Sequence, residues 1–295
     1  MLQAISSQHD AHHERRRKNS LASLTGSLRD NKTHLLLAAS GSVATIKLPL
    51  IIEALSKRHS ARNSGKKLSI RVLLTPAASR FLAGQSHEQP HVSSLLSMPC
   101  VDGVYVDADE WREPWKRGDA ILHIELRRWA DLLVIAPLSA NTMAKIVGGF
   151  ADGILTSVVR AWDVWGELDS DLVLANGEQP FLNGNGRRQK KHIIVAPAMN
   201  TAMWRHPVTA KSLRVLEEEW GVHRNSNKAA QVPTADESHT AEDQVENADT
   251  DDDGGWFEVL RPQQKTLACG DVGDGAMMEW NDIVTVIEDR LGLNE

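Results

Sequence analysis

Two turns in this sequence carry the residue types that grip an anion. Ser40-Gly41-Ser42-Val43-Ala44 follows an apolar run and opens a segment of helical period. A glycine and hydroxyls at such a strand-to-helix turn let backbone N–H groups meet a negative charge at the positive end of a helix dipole. Ala136-Pro137-Leu138-Ser139-Ala140-Asn141-Thr142 repeats the arrangement after another apolar run. Either turn alone reads as readily as a tight connection, with Ser139 or Asn141 capping its helix. Two of them, on neighbouring strands, point instead to one shared phosphate. Neither matches GxGxxG or GxxxxGK[ST], so the dinucleotide and nucleoside-triphosphate signatures are missing.

Three further places hold reactive or polar groups. Val195-Ala196-Pro197-Ala198-Met199-Asn200-Thr201-Ala202-Met203-Trp204 offers the Asn200 amide on an otherwise apolar turn, where Met203 and Trp204 suit either a planar ring or the core. Leu267-Ala268-Cys269-Gly270-Asp271-Val272-Gly273-Asp274-Gly275-Ala276-Met277 sets three glycines and one thiol in a permissive loop, which reads as a mobile lid or as a glycine-rich surface turn. His123 lies in Ile121-Leu122-His123-Ile124-Glu125-Leu126-Arg127-Arg128-Trp129, where a lone imidazole is more often packed than catalytic. Cys100, in SMPCVDG, has no constellation about it.

The elements that must position these groups alternate. Apolar runs 34–40, 68–75, 131–137 and 192–197 are short and nearly continuous, as strands buried on both faces of a parallel sheet are. Segments of helical period lie at 43–58, 76–83, 120–129, 141–148, 152–162 and 207–220. Strand and helix in alternation predict an α/β doubly wound parallel sheet with right-handed crossovers. Ligands on such sheets sit beyond the carboxyl ends of the strands, which is where the unusual residues fall.

The chain has 295 residues, 41% of them hydrophobic, with a formal charge of -6. That composition suits a globular protein and disfavours a nucleic-acid binder. No apolar run reaches the ~18 residues of a membrane span and no secretory signal is apparent, so a soluble, cytoplasmic protein is expected. Residues 1–32 read as a disordered His-rich, basic tail, whose Arg15-Arg16-Arg17-Lys18 run fits solvated chain or a nuclear signal. A polar insertion is expected at about 167–191. An acidic disordered one follows at about 225–255, with nine Asp or Glu and no Lys or Arg between Ala229 and Asp253. Residues 33–292 otherwise form one domain. No metal cluster is apparent, and two cysteines cannot build a disulfide framework.

Taken in order, SGSVA, LHIELRRWAD, APLSANT, APAMNTAMW and LACGDVGDGAM resemble the flavin-containing cysteine decarboxylases, and among them the eukaryotic, fungal-type branch serving coenzyme A biosynthesis. The resemblance covers about 33–165, 192–224 and 259–290. It implies a flavodoxin-like, three-layer α/β/α domain that binds FMN near a subunit contact of a homotrimer. Gly41, Ser42, Val43, Thr75, Ser139, Ala140, Asn141, Thr142 and Ala198 are the implied cofactor residues. Asn200, Met203 and Ala268 are implied to meet the substrate, with Asn200 on its carboxylate. His123 matches the catalytic histidine and Cys269 the proton donor of the lid. Plant relatives carry serines where this chain has Ala77 and Ala78, so a polar flavin contact is lost or moved to Thr75 or Ser79.

The implied reaction is decarboxylation of 4'-phospho-N-pantothenoylcysteine to 4'-phosphopantetheine. Loss of CO2 from an N-acyl cysteine leaves a carbanion without an electron sink, and oxidation of CH2–SH to a thioaldehyde creates one. An enethiol follows, which takes back the hydride and gains a proton. A thiol with a pKa of about 8.5 is protonated at neutral pH and can donate it. Rival readings remain: an inhibitory subunit of a type 1 protein phosphatase, a partner in mixed trimers with paralogues, a redox-inert flavoprotein, or a decarboxylase of C-terminal peptide cysteines.

Overall fold

The computed structural model describes residues 18–62, 67–168, 190–222, 255–266 and 272–294. Strands β1 (Lys32–Ala39), β2 (Lys67–Leu74), β3 (Val101–Val106), β4 (Leu132–Leu138), β5 (Ile193–Pro197) and β6 (Phe257–Val259) lie parallel in the order 3-2-1-4-5-6. Four of them coincide with the continuous apolar runs. The order reverses between β1 and β4, which therefore end side by side at the switch point.

Around the sheet lie α1 (Leu21–Gly26), α2 (Leu48–Arg62), α3 (Pro76–Ser79), α4 (Leu122–Trp129), α5 (Ala140–Val147), α6 (Ile154–Arg160), α7 (Thr201–Trp204), α8 (Pro207–Arg214) and α9 (Trp280–Arg290). Successive β1 residues face opposite layers, as the two-residue period of a strand requires. Leu35 and Leu37 pack with Ile51 and Ile52 of α2 and Ile283 and Ile287 of α9. Leu36 and Ala38 pack with Leu126 and Trp129 of α4, Met143 of α5 and Val158 of α6. This is the flavodoxin-like α/β/α arrangement expected. Glu288 ties the first of these layers together through Arg58 at 3.1 Å and Arg62 at 2.7 Å.

Two helices depart from the expected ranges. A 3-10 turn, Val43–Lys47, precedes α2, because Pro49 has no N–H to give Thr45 and the Thr45 carbonyl accepts from Leu48 instead. After Arg214 the chain widens into a π turn, Val215–Glu219, closed by Trp220 N donating to Val215 O at 2.9 Å.

The tail expected to be disordered through residue 32 is corrected over its last part. Helix α1, capped by Ser20, buries Leu24 completely against the sheet layer of α4. Asn19 is buried, its amide donating to Val104 O while its Oδ1 accepts from Val104 N at 2.9 Å. Arg71, buried in β2, donates to Lys18 O at 3.3 Å, Ser23 O at 3.4 Å and Ser27 Oγ at 3.2 Å. One leucine and these distant polar partners replace the missing amphipathic stripe. The polar and acidic insertions fall almost wholly outside the described residues. A hairpin of β7 (Gln263–Thr266) and β8 (Val272–Ala276) follows the main sheet, and Ala268 and Cys269 lie outside the described residues.

Candidate active site

Ser40 joins the two anion-type turns. It is fully buried, its Oγ donates to Pro137 O at 3.0 Å, and it accepts from Ser139 N at 2.7 Å. The turn after β1 is thereby fixed to the turn after β4. Ser139 caps α5, accepting from Thr142 N at 3.3 Å and donating to Thr142 Oγ1 at 3.2 Å. Thr75 caps α3 by accepting from Ala78 N at 3.3 Å, and Ser79 Oγ donates to Thr75 O at 3.3 Å. The Ser79 hydroxyl is thus occupied locally, whereas Thr75 faces the site.

These turns enclose a cavity of about 270 Å³ whose lining includes Gly41, Thr75, Ala77, Ser139, Asn141 and Thr142. The resemblance placed Gly41, Thr75, Ser139, Asn141 and Thr142 at the cofactor, and the fold brings all five to the lining of one cavity. The lining also holds groups that sequence reading missed: Asp107, Lys145, Asp152, Gly153 and Thr156. Asp107 directly follows β3, so the rule that ligands sit beyond strand ends would have found it had VDGVYV been read as a strand. Its Oδ1 accepts from Ile154 N at 3.3 Å. Burial pushes the Asp107 carboxyl up against that hydrogen bond, and nearby Asp152 and Glu110 push the same way. Asp152 sits lower than usual because Lys145 donates to it.

Ser42 and Val43 do not line this cavity. Ser42 caps the 3-10 turn by accepting from Ala44 N at 3.4 Å, and the Val43 side chain is exposed. Ala198 is buried at the end of β5, its N–H donating to Leu138 O at 2.9 Å. Ala140 lines instead a neighbouring apolar groove of about 360 Å³ with Met143, Met203, His206 and Val208. The groove therefore runs from the α5 turn to the Asn200 turn.

Asn200 caps α7, its Oδ1 accepting from Met203 N at 2.8 Å, and its amide NH2 has no partner among the described residues. A carboxylate can accept from that NH2. The turn is braced by the β7–β8 hairpin: Met199 N donates to Gly275 O at 3.0 Å, and Arg205 donates to Asp274 from Nε at 3.0 Å and Nη2 at 2.7 Å. A Cβ on Gly275 would lie 2.2 Å from Met199 O, so only glycine allows this approach.

His123 does not line the cavity either. It sits at the start of α4, and its Nδ1 lies 2.7 Å from Glu110 Oε1. Its side chain is 21% exposed.

The cavity fits a phosphorylated planar cofactor on its own chemistry. A Cβ on Gly41 would fall 2.6 Å from Ala77 Cβ, so this lining position must be glycine and contributes backbone alone. Hydroxyls of Thr75 and Thr142 and the Asn141 amide supply neutral donors, and Lys145 adds a cation to the lining.

Comparison with known proteins agrees. The flavoprotein family profile matches residues 23–292. An Arabidopsis thaliana protein named a probable phosphopantothenoylcysteine decarboxylase is 35% identical over 248 residues, 84% of this chain and 83% of that one. A solved PPC decarboxylase variant complexed with pantothenoylaminoethenethiol superposes with a TM-score of 0.55 at 34% identity, over 90% of this chain and all of the other. The FMN-binding protein AtHal3 gives 0.52 at 34% identity, over 87% and 95%. Relatives in Schizosaccharomyces pombe and Saccharomyces cerevisiae are longer, and the chain spans only about a third of their length, 31% and 34%. With its profile match running almost from α1 to the last described residues, the chain belongs to the flavoprotein family.

Proposed function

We propose that the chain is an FMN-dependent decarboxylase of 4'-phospho-N-pantothenoylcysteine. The observation that carries this reading is the convergence of two anion-type turns, joined by Ser40, on one cavity with a bare glycine backbone. Gly41, Thr75, Ser139, Asn141 and Thr142 would hold FMN. When bound, FMN supplies a reversible two-electron acceptor, which an N-acyl cysteine needs before its carboxylate can leave.

The chain's own groups do the rest. Asn200 presents its free NH2 to the substrate carboxylate and fixes it until CO2 departs. His123 takes the proton from the substrate thiol. Cys269, on the segment between β7 and β8, returns a proton to carbon, and Ala268 and Met203 flank the substrate. His123 does not line the cavity of its own chain, and a homotrimer in which a second copy brings the imidazole to each cavity accounts for that.

The test is direct. The purified chain should carry a flavin absorbance band, release CO2 from the phosphopantothenoyl substrate and run near three times its 32.5 kDa mass. Equal turnover after the flavin is stripped would overturn the reading.

A further inference from the structure

We infer that Glu110 is a positioning residue that sets the tautomer and aim of His123; this rests on the role given to His123 above. Glu110 follows β3 and the 3-10 turn Asp107–Asp109, its N–H donating to Asp107 O at 3.2 Å. The turn is clamped by Val106 N donating to Asp109 Oδ2 at 2.8 Å. Glu110 therefore hangs from the sheet itself, and its side chain is only 6% exposed.

From there Oε1 meets His123 Nδ1 at 2.7 Å. An ionised carboxylate can only accept, so Nδ1 must carry the proton. In the neutral ring that leaves the lone pair on Nε2, which has no partner among the described residues and is not sealed from solvent. The ring is thus fixed as an acceptor facing outward, as a base for a thiol must be. When the substrate S–H breaks and Nε2–H forms, the ring becomes a cation beside a carboxylate that is already in place. Glu110 Oε2 is buried without a partner, an arrangement costly for a mere brace between loop and helix.

A brace and a tautomer-setting group differ in what they change. In the full-length, flavin-loaded chain, 15N NMR of the His123 imidazole should show the proton on Nδ1, and Glu110→Gln should move the population toward Nε2–H. The same variant should lose at least about tenfold in kcat for CO2 release, and no more than the ~10²–10⁴-fold that a lost general base costs, while KM and flavin content hold. Adding Glu110→Gln to His123→Ala should cost nothing further. A wild-type ring protonated on Nε2 would overturn the inference without any variant having to fold. Full activity of Glu110→Gln beside an inactive His123→Ala would also overturn it, and full activity of His123→Ala would overturn the underlying role of His123 instead.

Discussion

Gly41 and Ala77 occupy neighbouring turns so close that a Cβ added to the first would lie 2.6 Å from the Cβ of the second. The turns after β1 and β2 therefore fit only because one residue has no side chain. Gly41→Ala should lose bound flavin on desalting and cost about 1–3 kcal/mol in thermal or urea unfolding, the usual range for overpacking. Ala77→Gly in the same chain should recover much of both. A Gly41→Ala protein that stays yellow and melts like the parent would show that the turns part easily.

Asn200 has two separable duties, because Oδ1 caps α7 while its NH2 remains free. Asn200→Asp keeps an equally good cap but puts a negative charge toward the substrate carboxylate. We expect an unchanged melting temperature with KM raised tenfold or more. Asn200→Ala should raise KM and also lower stability by about 0.5–2 kcal/mol. Paired KM and melting measurements on both variants check this, and an Asn200→Asp enzyme with normal KM would remove the carboxylate role.

Asp107 makes stability depend on pH in a known direction. Its carboxyl is held above the ordinary value by burial, so the unfolded chain releases this proton first as pH rises. The penalty begins to build near the unfolded value of about 3.9, and it is complete once pH exceeds the folded value. Asp107→Asn should therefore match the parent in acid and exceed it at neutral pH, where urea midpoints can be compared. A constant difference at every pH would count against burial as the cause.

Leu24 tests the segment before β1. Its side chain is fully buried in the layer of Leu126 and Trp129, so Leu24→Ala should cost about 2–5 kcal/mol. Urea unfolding measures it, and a loss under about 0.5 kcal/mol would mean that α1 detaches without consequence.

What was legible in the sequence follows from physical visibility. β1, β2, β4 and β5 are buried on both faces and had to be nearly continuous apolar runs. The turns after β1 and β4 stood out because small polar residues interrupt those runs abruptly. β3 was hidden because Asp102 and Gly103 break its pattern, and with it went Asp107 and Glu110. Helix α1 was hidden for another reason: Asn19 and Arg71 bond to partners 85 and 53 residues away, a pairing no local period reveals. That His123 falls outside the cavity lining is likewise a product of packing alone.

Ser40 never reaches the cavity wall, yet its hydroxyl is the hinge pin through which both halves of the anion cradle hang from each other. Replacing that one oxygen by hydrogen would orphan the Ser139 amide and leave the Pro137 carbonyl only its 3.0 Å bond from Ser40 N. The shape of the cradle is consequently held by an atom that lines no part of it.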